Sequence, residues 1–210
     1  MQQTIAKKAK PIGKKSAEGQ NRDGNVLAAA ISVMSERGYS ATSIQNVADR
    51  VGVLKGSLYH YFSSKEELLF RILDESHREG VEIAANVAAL ELAPLAELTE
   101  YLRRQSLWYL ANVERANIFF TESRNLTGDR LKITEVRAAA FAKHVRDLIT
   151  QAQDAGEIGS TLDPRLLTRY VLGAMNNVRF WPSRSELKFS KEQIVDAMIQ
   201  MTLNALEAKK

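Results

Sequence analysis

The sequence contains no cysteine, which excludes disulfides, thiolate metal sites and a cysteine nucleophile. Only four prolines interrupt its 210 residues, few enough to leave room for long helices. No apolar run approaches the roughly 18 residues of a membrane span. The lysines near the N-terminus are not followed by the apolar stretch of a secretory signal. No segment shows the strict apolar–polar alternation of a half-buried strand. Signatures of catalysis are missing as well: there is no phosphate-binding glycine loop and no nucleophile elbow. The three histidines, His60, His77 and His144, are far apart in sequence and none has a partner at metal-ligand spacing. These absences lead to an all-α chain that is not an enzyme, has no metal or cofactor, does not enter a membrane and works in the cytoplasm.

What is present is a large apolar fraction, 45% of residues, enough for a substantial core. The net charge of +4 is unevenly placed. Residues 1–65 hold ten Lys and Arg against four Asp and Glu, while the remainder is slightly acidic. Positive charge therefore gathers in the N-terminal third, as contact with a polyanion requires. Residues 1–20 carry much of it without any apolar period and read as a disordered basic arm, which either adds phosphate contacts or is simply a solvated tail.

Within 42–65 the sequence TSIQNVADRVGVLKGSLYHYFSSK reads as two short helices joined by a tight turn. Thr42 and Gln45 suit a capping box that starts a helix at Ser43. Ile44, Val47, Ala48 and Val51 give that helix one apolar face, and Gly52 supplies the left-handed residue that ends it. Val53 reads as a small apolar plug. A second helix over 55–61 turns Leu58 and Phe62 inward and shows Lys55, Ser57, His60 and Tyr61 outward. Ser64 with Glu67 then starts the next helix. Such a pair is what a helix-turn-helix DNA reader needs.

The rest is helical by period and punctuation. A first helix over 21–37 has Val26, Leu27, Ala30, Ile31 and Met34 as its core stripe, with Gly38 as its cap. A fourth runs from Ser64 to about residue 89, longer than DNA reading needs, and links two parts of the molecule. Pro94 opens a fifth, to about 112; a sixth covers 114–125; a seventh covers 130–155, with Val136, Phe141, Val145, Leu148 and Ile149 apolar. Asp163-Pro164 caps an eighth that runs to about 180, 182–188 is a loop, and Ser190 with Gln193 starts a ninth that runs to about 206. The expected architecture is therefore about nine helices: a three-helix DNA-binding unit over 21–66 and a helical ligand-binding and dimerisation domain over 67–210. The eighth and ninth helices have apolar faces wider than one-sided packing requires, which suits a subunit interface in a homodimer. On the eighth, Tyr170, Gly173, Ala174, Asn177 and Trp181 share one face that can line a pocket with an amide pointing in. Arg124 and Arg179 suit ligand phosphates, or else surface or interface ion pairs.

Residues 24–70 resemble the DNA-binding domain of the TetR family of bacterial repressors. The resemblance rests on Gly38-Tyr39, Thr42, Val47-Ala48, Gly52-Val53 and the run Gly56-Ser57-Leu58-Tyr59-His60-Tyr61-Phe62, followed by Ser64-Lys65-Glu66 and Leu68. Leu54 departs from it, standing where the family often has a Ser or Thr cap. The resemblance implies a regulator that binds a palindromic double-stranded operator as a dimer and is released by a small molecule; a DNA-binding architectural protein with no ligand is the alternative. It implies DNA contact by Thr42, Ser43, Gln45, Lys55, Gly56, Ser57, Tyr59, His60, Tyr61 and Lys65, with Lys55 reading guanine and Lys65 on a phosphate. The segments 119–124 and 177–182 are similar to parts of the acyl-CoA-responsive repressors of fatty-acid and cholesterol-ring catabolism. That likeness implies an acyl-CoA effector, with Trp108, Phe120 and Trp181 around the acyl part and Arg124 or Arg179 near the phosphates.

Overall fold

A computed structural model describes residues 17–159, 161–181 and 189–206. Among these there are nine α-helices and no strand: α1 (Ala17–Ala41), α2 (Ile44–Val51), α3 (Lys55–Leu58), α4 (Lys65–Ala88), α5 (Pro94–Ala111), α6 (Val113–Glu122), α7 (Gly128–Asp154), α8 (Pro164–Asn177) and α9 (Lys191–Leu206). Short 3₁₀ turns at Ser123–Asn125 and Val178–Phe180 extend α6 and α8. The loop expected at 182–188 and most of the basic arm lie outside the described residues, but residues 17–20, assigned to that arm, form the first turn of α1.

Local chemistry accounts for the boundaries. Gly38 breaks α1 with φ 75° and ψ 162°, a backbone that a side chain would strain. The capping of α2 sits one residue later than the sequence pattern suggested. Ser43 is the N-cap: its Oγ accepts from Asn46 N at 3.2 Å, and Asn46 Oδ1 accepts from Ser43 N at 2.9 Å. Thr42 is instead buried, and its hydroxyl donates to Gly38 O at 2.8 Å, closing the bend after α1. Gly52 ends α2 in the left-handed region at φ 79°. Helix α3 is a single turn followed by turns through Tyr61, shorter than the 55–61 expected, because Leu54 offers no side-chain cap and Phe62 must swing into the core. Val53 is exposed rather than plugging the turn, and Val136 on α7 is exposed too. Ser64 caps α4 through Glu67 N at 3.0 Å, whereas the Glu67 carboxylate reaches past it to Ser63 N at 2.7 Å. Pro94, Asp163-Pro164 and the Ser190–Gln193 box stand where the sequence placed them.

Two hydrophobic cores result. The first gathers Met34 of α1, Val47 and Ala48 of α2, Leu58 of α3 and Leu69 and Ile72 of α4, with Ile118 and Leu126 arriving from the α6 region. The second gathers Leu98 and Tyr101 of α5, Val145 and Ile149 of α7, Val171 and Met175 of α8 and Val195 and Met198 of α9. Helix α4 contributes to both, through Leu69 and Ile72 near its start and Val87 at its end.

Lys65 binds the junction between α1 and α2 together. Its ammonium donates to the carbonyls of Tyr39 (2.9 Å), Thr42 (2.9 Å) and Ser40 (3.3 Å) and lies 4.3 Å from the centroid of the Tyr39 ring. An ammonium has three donors, so none is left for the phosphate contact assigned to it from the resemblance. Lys65→Met is therefore expected to lower unfolding stability by about 1–3 kcal/mol in urea denaturation. An unchanged midpoint together with a shallower salt dependence of DNA binding would return Lys65 to the phosphates.

Candidate functional site

The first candidate surface is the exposed side of the α2–α3 pair. The buried side, Val47, Ala48, Leu58 and Phe62, fixes which residues face outward. Lys55, Gly56, Tyr59 and His60 are exposed, and Ser57 and Tyr61 are half-buried beside them. Ser43 and Gln45 are exposed at the start of α2, where Gln45 Nε2 donates to Asp49 Oδ1 at 2.7 Å. Gly56 has open space where a Cβ would stand, so no packing contact within the described residues requires a glycine there. Eight of the ten DNA-facing residues expected from the resemblance thus share this surface; Thr42 and Lys65 are occupied beneath it. Arg50 is also occupied, paired with Glu36 at 2.8 Å and bonded to Ser32. Leu54, which stands where the resemblance led to a Ser or Thr cap, is 81% exposed at the head of α3 and makes no side-chain capping bond.

The second candidate site is a cavity of about 320 Å³ enclosed by α4, α5, α6, α7 and α8. That volume is at the lower end of the roughly 300–1,000 Å³ of small-molecule sites. Small residues of α4, Gly80 and Ala84, and Ala138 and Ala142 of α7 leave the space; aromatic rings of α5, α6 and α7 line it. Tyr109 meets Phe120 edge to face with centroids 5.4 Å apart, and Tyr101 meets His144 at 4.9 Å and 88°. Val81 and Ala138, both exposed, mark a mouth between α4 and α7.

A few polar groups interrupt this lining. Burial pushes the Tyr101 and Tyr109 hydroxyls far above the usual phenol value, so both stay neutral. Burial, and then the neighbouring Arg137, hold the His77 imidazole below its ordinary pKa, which favours the neutral ring. Arg137 is anchored to Asp74 at 2.7 Å, and Arg78 approaches the same carboxylate at 3.7 Å. Trp108 lines the cavity and donates its indole N–H to Glu79 Oε2 at 2.5 Å; the Arg115 fork grips the same carboxylate at 2.9 and 2.5 Å.

Of the seven residues expected around a ligand, Trp108 and Phe120 line this cavity and five do not. Arg124 is exposed elsewhere. Arg179 is buried behind the wall: its guanidinium stacks 4.3 Å from the Phe120 centroid and 4.2 Å from Phe180, and its Nε donates to Asn117 Oδ1 at 2.9 Å. Tyr170 and Asn177 are exposed on the opposite face of α8, where Asn177 bonds back to Gly173 O, and Trp181 packs against the second core. The row of α8 that faces the cavity carries Leu172 and Asn176 instead. Sequence reasoning also missed His77, Gln105, Arg137 and His144, which come from separate helices; the cluster of small residues on α4 and α7 was the only local sign. Among the described residues no cluster could hold a metal ion, and no helix is long and apolar enough to cross a membrane.

Residues 26–72 match the family model of bacterial regulatory proteins of the tetR family, and residues 91–206 match the tetracyclin repressor-like C-terminal domain. The chain belongs to the TetR family. It is thus a DNA-binding transcription regulator and not an enzyme. It is similar to the HTH-type transcriptional repressor KstR2 of Mycobacterium tuberculosis, 28% identical over 159 residues that span 72% of this chain and 76% of the relative. It is also similar to the fatty acid metabolism regulator protein of Bacillus subtilis, 21% identical over 88% of this chain and 95% of that one. Among solved structures, AibR in complex with isovaleryl coenzyme A and operator DNA superposes with a TM-score of 0.77 at 26% identity, over 86% of this chain and 97% of AibR. The KstR2 structure, at 24% identity, shares the fold with a TM-score of 0.82 over 90% and 96%.

Proposed function

We propose that this regulator binds a palindromic operator as a homodimer and is released from it by an acyl-CoA held in the α4–α8 cavity. The observation that carries the reading is the cavity itself, apolar and aromatic within and cationic at its mouth. A ligand-free architectural protein has no use for such a space. About 320 Å³ suits an acyl chain but not the nucleotide end of coenzyme A. The nucleotide then lies outside, across the mouth, where Arg137 and Arg78 stand on the shared carboxylate of Asp74. These two arginines replace Arg124 and Arg179 as candidates for the phosphates.

The same contacts suggest how the cavity acts on DNA binding. Trp108 touches the ligand space and holds Glu79 of α4, while Arg137 ties the mouth to Asp74, also on α4. On α6, Ile118 lies in the core of the DNA-binding unit and Phe120, two residues on, lines the cavity. A ligand that fits one tilt of α4 and α6 better than another therefore biases the position of α3. Only the difference in affinity between the two tilts shifts the balance. Operator complexes titrated with acyl-CoAs should dissociate with a loss of DNA affinity of about 5–150-fold. The matching free acids should be weaker, and Arg137→Met should reduce the response to the thioesters alone. Equal release by the free acids would remove coenzyme A from the reading.

The wide α9 rows Ile194, Val195, Met198 and Ile199 are buried in this chain's own core, so the dimer reading rests on exposed apolar residues in and beside α8 and α9: Leu162, Leu166 and Tyr170 at four-residue spacing, then Phe180, Phe189 and Met201. Paired across a two-fold axis they complete a four-helix bundle and set two α3 helices for major grooves about one turn, roughly 34 Å, apart or slightly more. Static light scattering should give two chains per particle at micromolar concentration; a monomer that stays monomeric on DNA would sink this. On that operator, Lys55→Ala should relax base preference at one position in each half-site, at about 1–3 kcal/mol. An unchanged preference in a binding-site selection experiment would show that Lys55 does not read a base.

A further inference from the structure

Two amide oxygens in residues that line the cavity have no hydrogen-bond donor among the described residues. Gln105 of α5 is 3% exposed, and its Oε1 is buried without a donor among the described residues. Asn176 of α8 lines the same space, and its Oδ1 is likewise buried and unpaired. The orientation of Gln105 has a cause. Its amide interacts with the Tyr109 hydroxyl on one side, which turns Oε1 towards Gly80, where a Cβ would come within 3.5 Å of it. Glycine at that point leaves the space beside the carbonyl free of a side chain.

A wall meant only for a hydrocarbon chain gains nothing from these groups. A buried carbonyl left unsatisfied is costly, whereas Leu or Met of similar size is not. Unpaired acceptors in an otherwise aromatic pocket instead select a ligand that brings the missing donor, because the analogue lacking it leaves the site's polar groups stranded. We propose that the effector's buried part is a hydroxylated acyl chain, its hydroxyl donating to Gln105 Oε1. Asn176 adds a second unpaired amide oxygen among the residues that line the cavity. Gln105 and Asn176 are then the residues that set specificity between hydroxylated and plain acyl groups. This rests on the cavity being the effector site, but not on the coenzyme A end of the ligand.

The test is isothermal titration calorimetry of the full chain with two paired series. One compares medium-chain acyl-CoAs with counterparts hydroxylated at successive chain positions; the other compares the corresponding free acids and hydroxy acids. At one chain position the hydroxylated member should bind about tenfold more tightly than its parent, the effect of one well-made buried hydrogen bond. Gln105→Met should reduce that ratio to near one, and Asn176→Leu should reduce it in part. Thermal melting without ligand checks that the variants fold. If thioesters and free acids bind alike but both series prefer the hydroxylated member, the coenzyme A reading fails and this one stands. If the plain members bind as well as the hydroxylated ones in both series, or no member of either series binds, the proposal is overturned; equal affinity would mean that solvent alone serves the two amides.

Discussion

Helix α4 cannot bend cheaply, and both hydrophobic cores are built on it. Its 24 residues run about 36 Å at 1.5 Å per residue. Leu69 and Ile72 are sealed in the DNA-binding core and Val87 in the other. No glycine or proline kink relieves it, since Gly80 sits within regular helix and opens the cavity instead of a hinge. Any movement of one end is therefore a movement of the whole rod. The ion pairs along its length follow from this. Glu66 accepts from Thr127 N at 2.7 Å and pairs with Arg130, Arg71 pairs with Asp23, Asp74 with Arg137 and Glu79 with Arg115. Each partly exposed pair alone is worth little. Together they fix how the rod sits against α1, α6 and α7.

Helix α6 supplies the second path between the cores. A ten-residue helix that ends in a 3₁₀ turn presents Ile118 to one core and Phe119 and Phe120 to the cavity. Adjacent residues on a helix point about 100° apart, so one short element touches both environments with no intermediary. It is a direct physical connection between the two cores.

The helical class and most helix ends were legible in the sequence because each rests on local chemistry. Gly52 needs its left-handed backbone, Pro94 and Pro164 suit a first turn, and Ser190 reaches Gln193 over three residues. The misplacement of the α2 cap by one residue has the same local origin. Thr42 and Ser43 are both capping types, and only the burial of Thr42 against Gly38 O decides between them. The candidate ligand site was less legible for a reason of principle. On α8 both the cavity row and the outward row carry apolar and amide residues, Leu172 and Asn176 on one and Tyr170 and Asn177 on the other. Periodicity finds both rows and cannot say which one meets solvent. Lys65 failed differently: a lysine beside a DNA reader looks like a phosphate ligand until three carbonyls from the preceding bend are found around it.

Arg179 brings these threads together. A guanidinium only 8% exposed is expensive to desolvate, and burial lowers its pKa as that cost requires. Its Nε donates to Asn117 on α6, and Nη1 has no partner among the described residues. What holds the cation is stacking, with Phe120 on one side and Phe180 on the other. Phe120 is cavity wall, and Phe180 is part of the exposed apolar face of α8 and its 3₁₀ extension. The sandwich thus spans from ligand space to the proposed subunit surface through one side chain. Stacking is tolerant of sliding where a bidentate ion pair is not, so Arg179 can follow a shift of Phe120 without a bond being broken. Its position argues for a part that accommodates movement of the wall, whereas Arg137, locked to Asp74 at the mouth, is placed to register what enters.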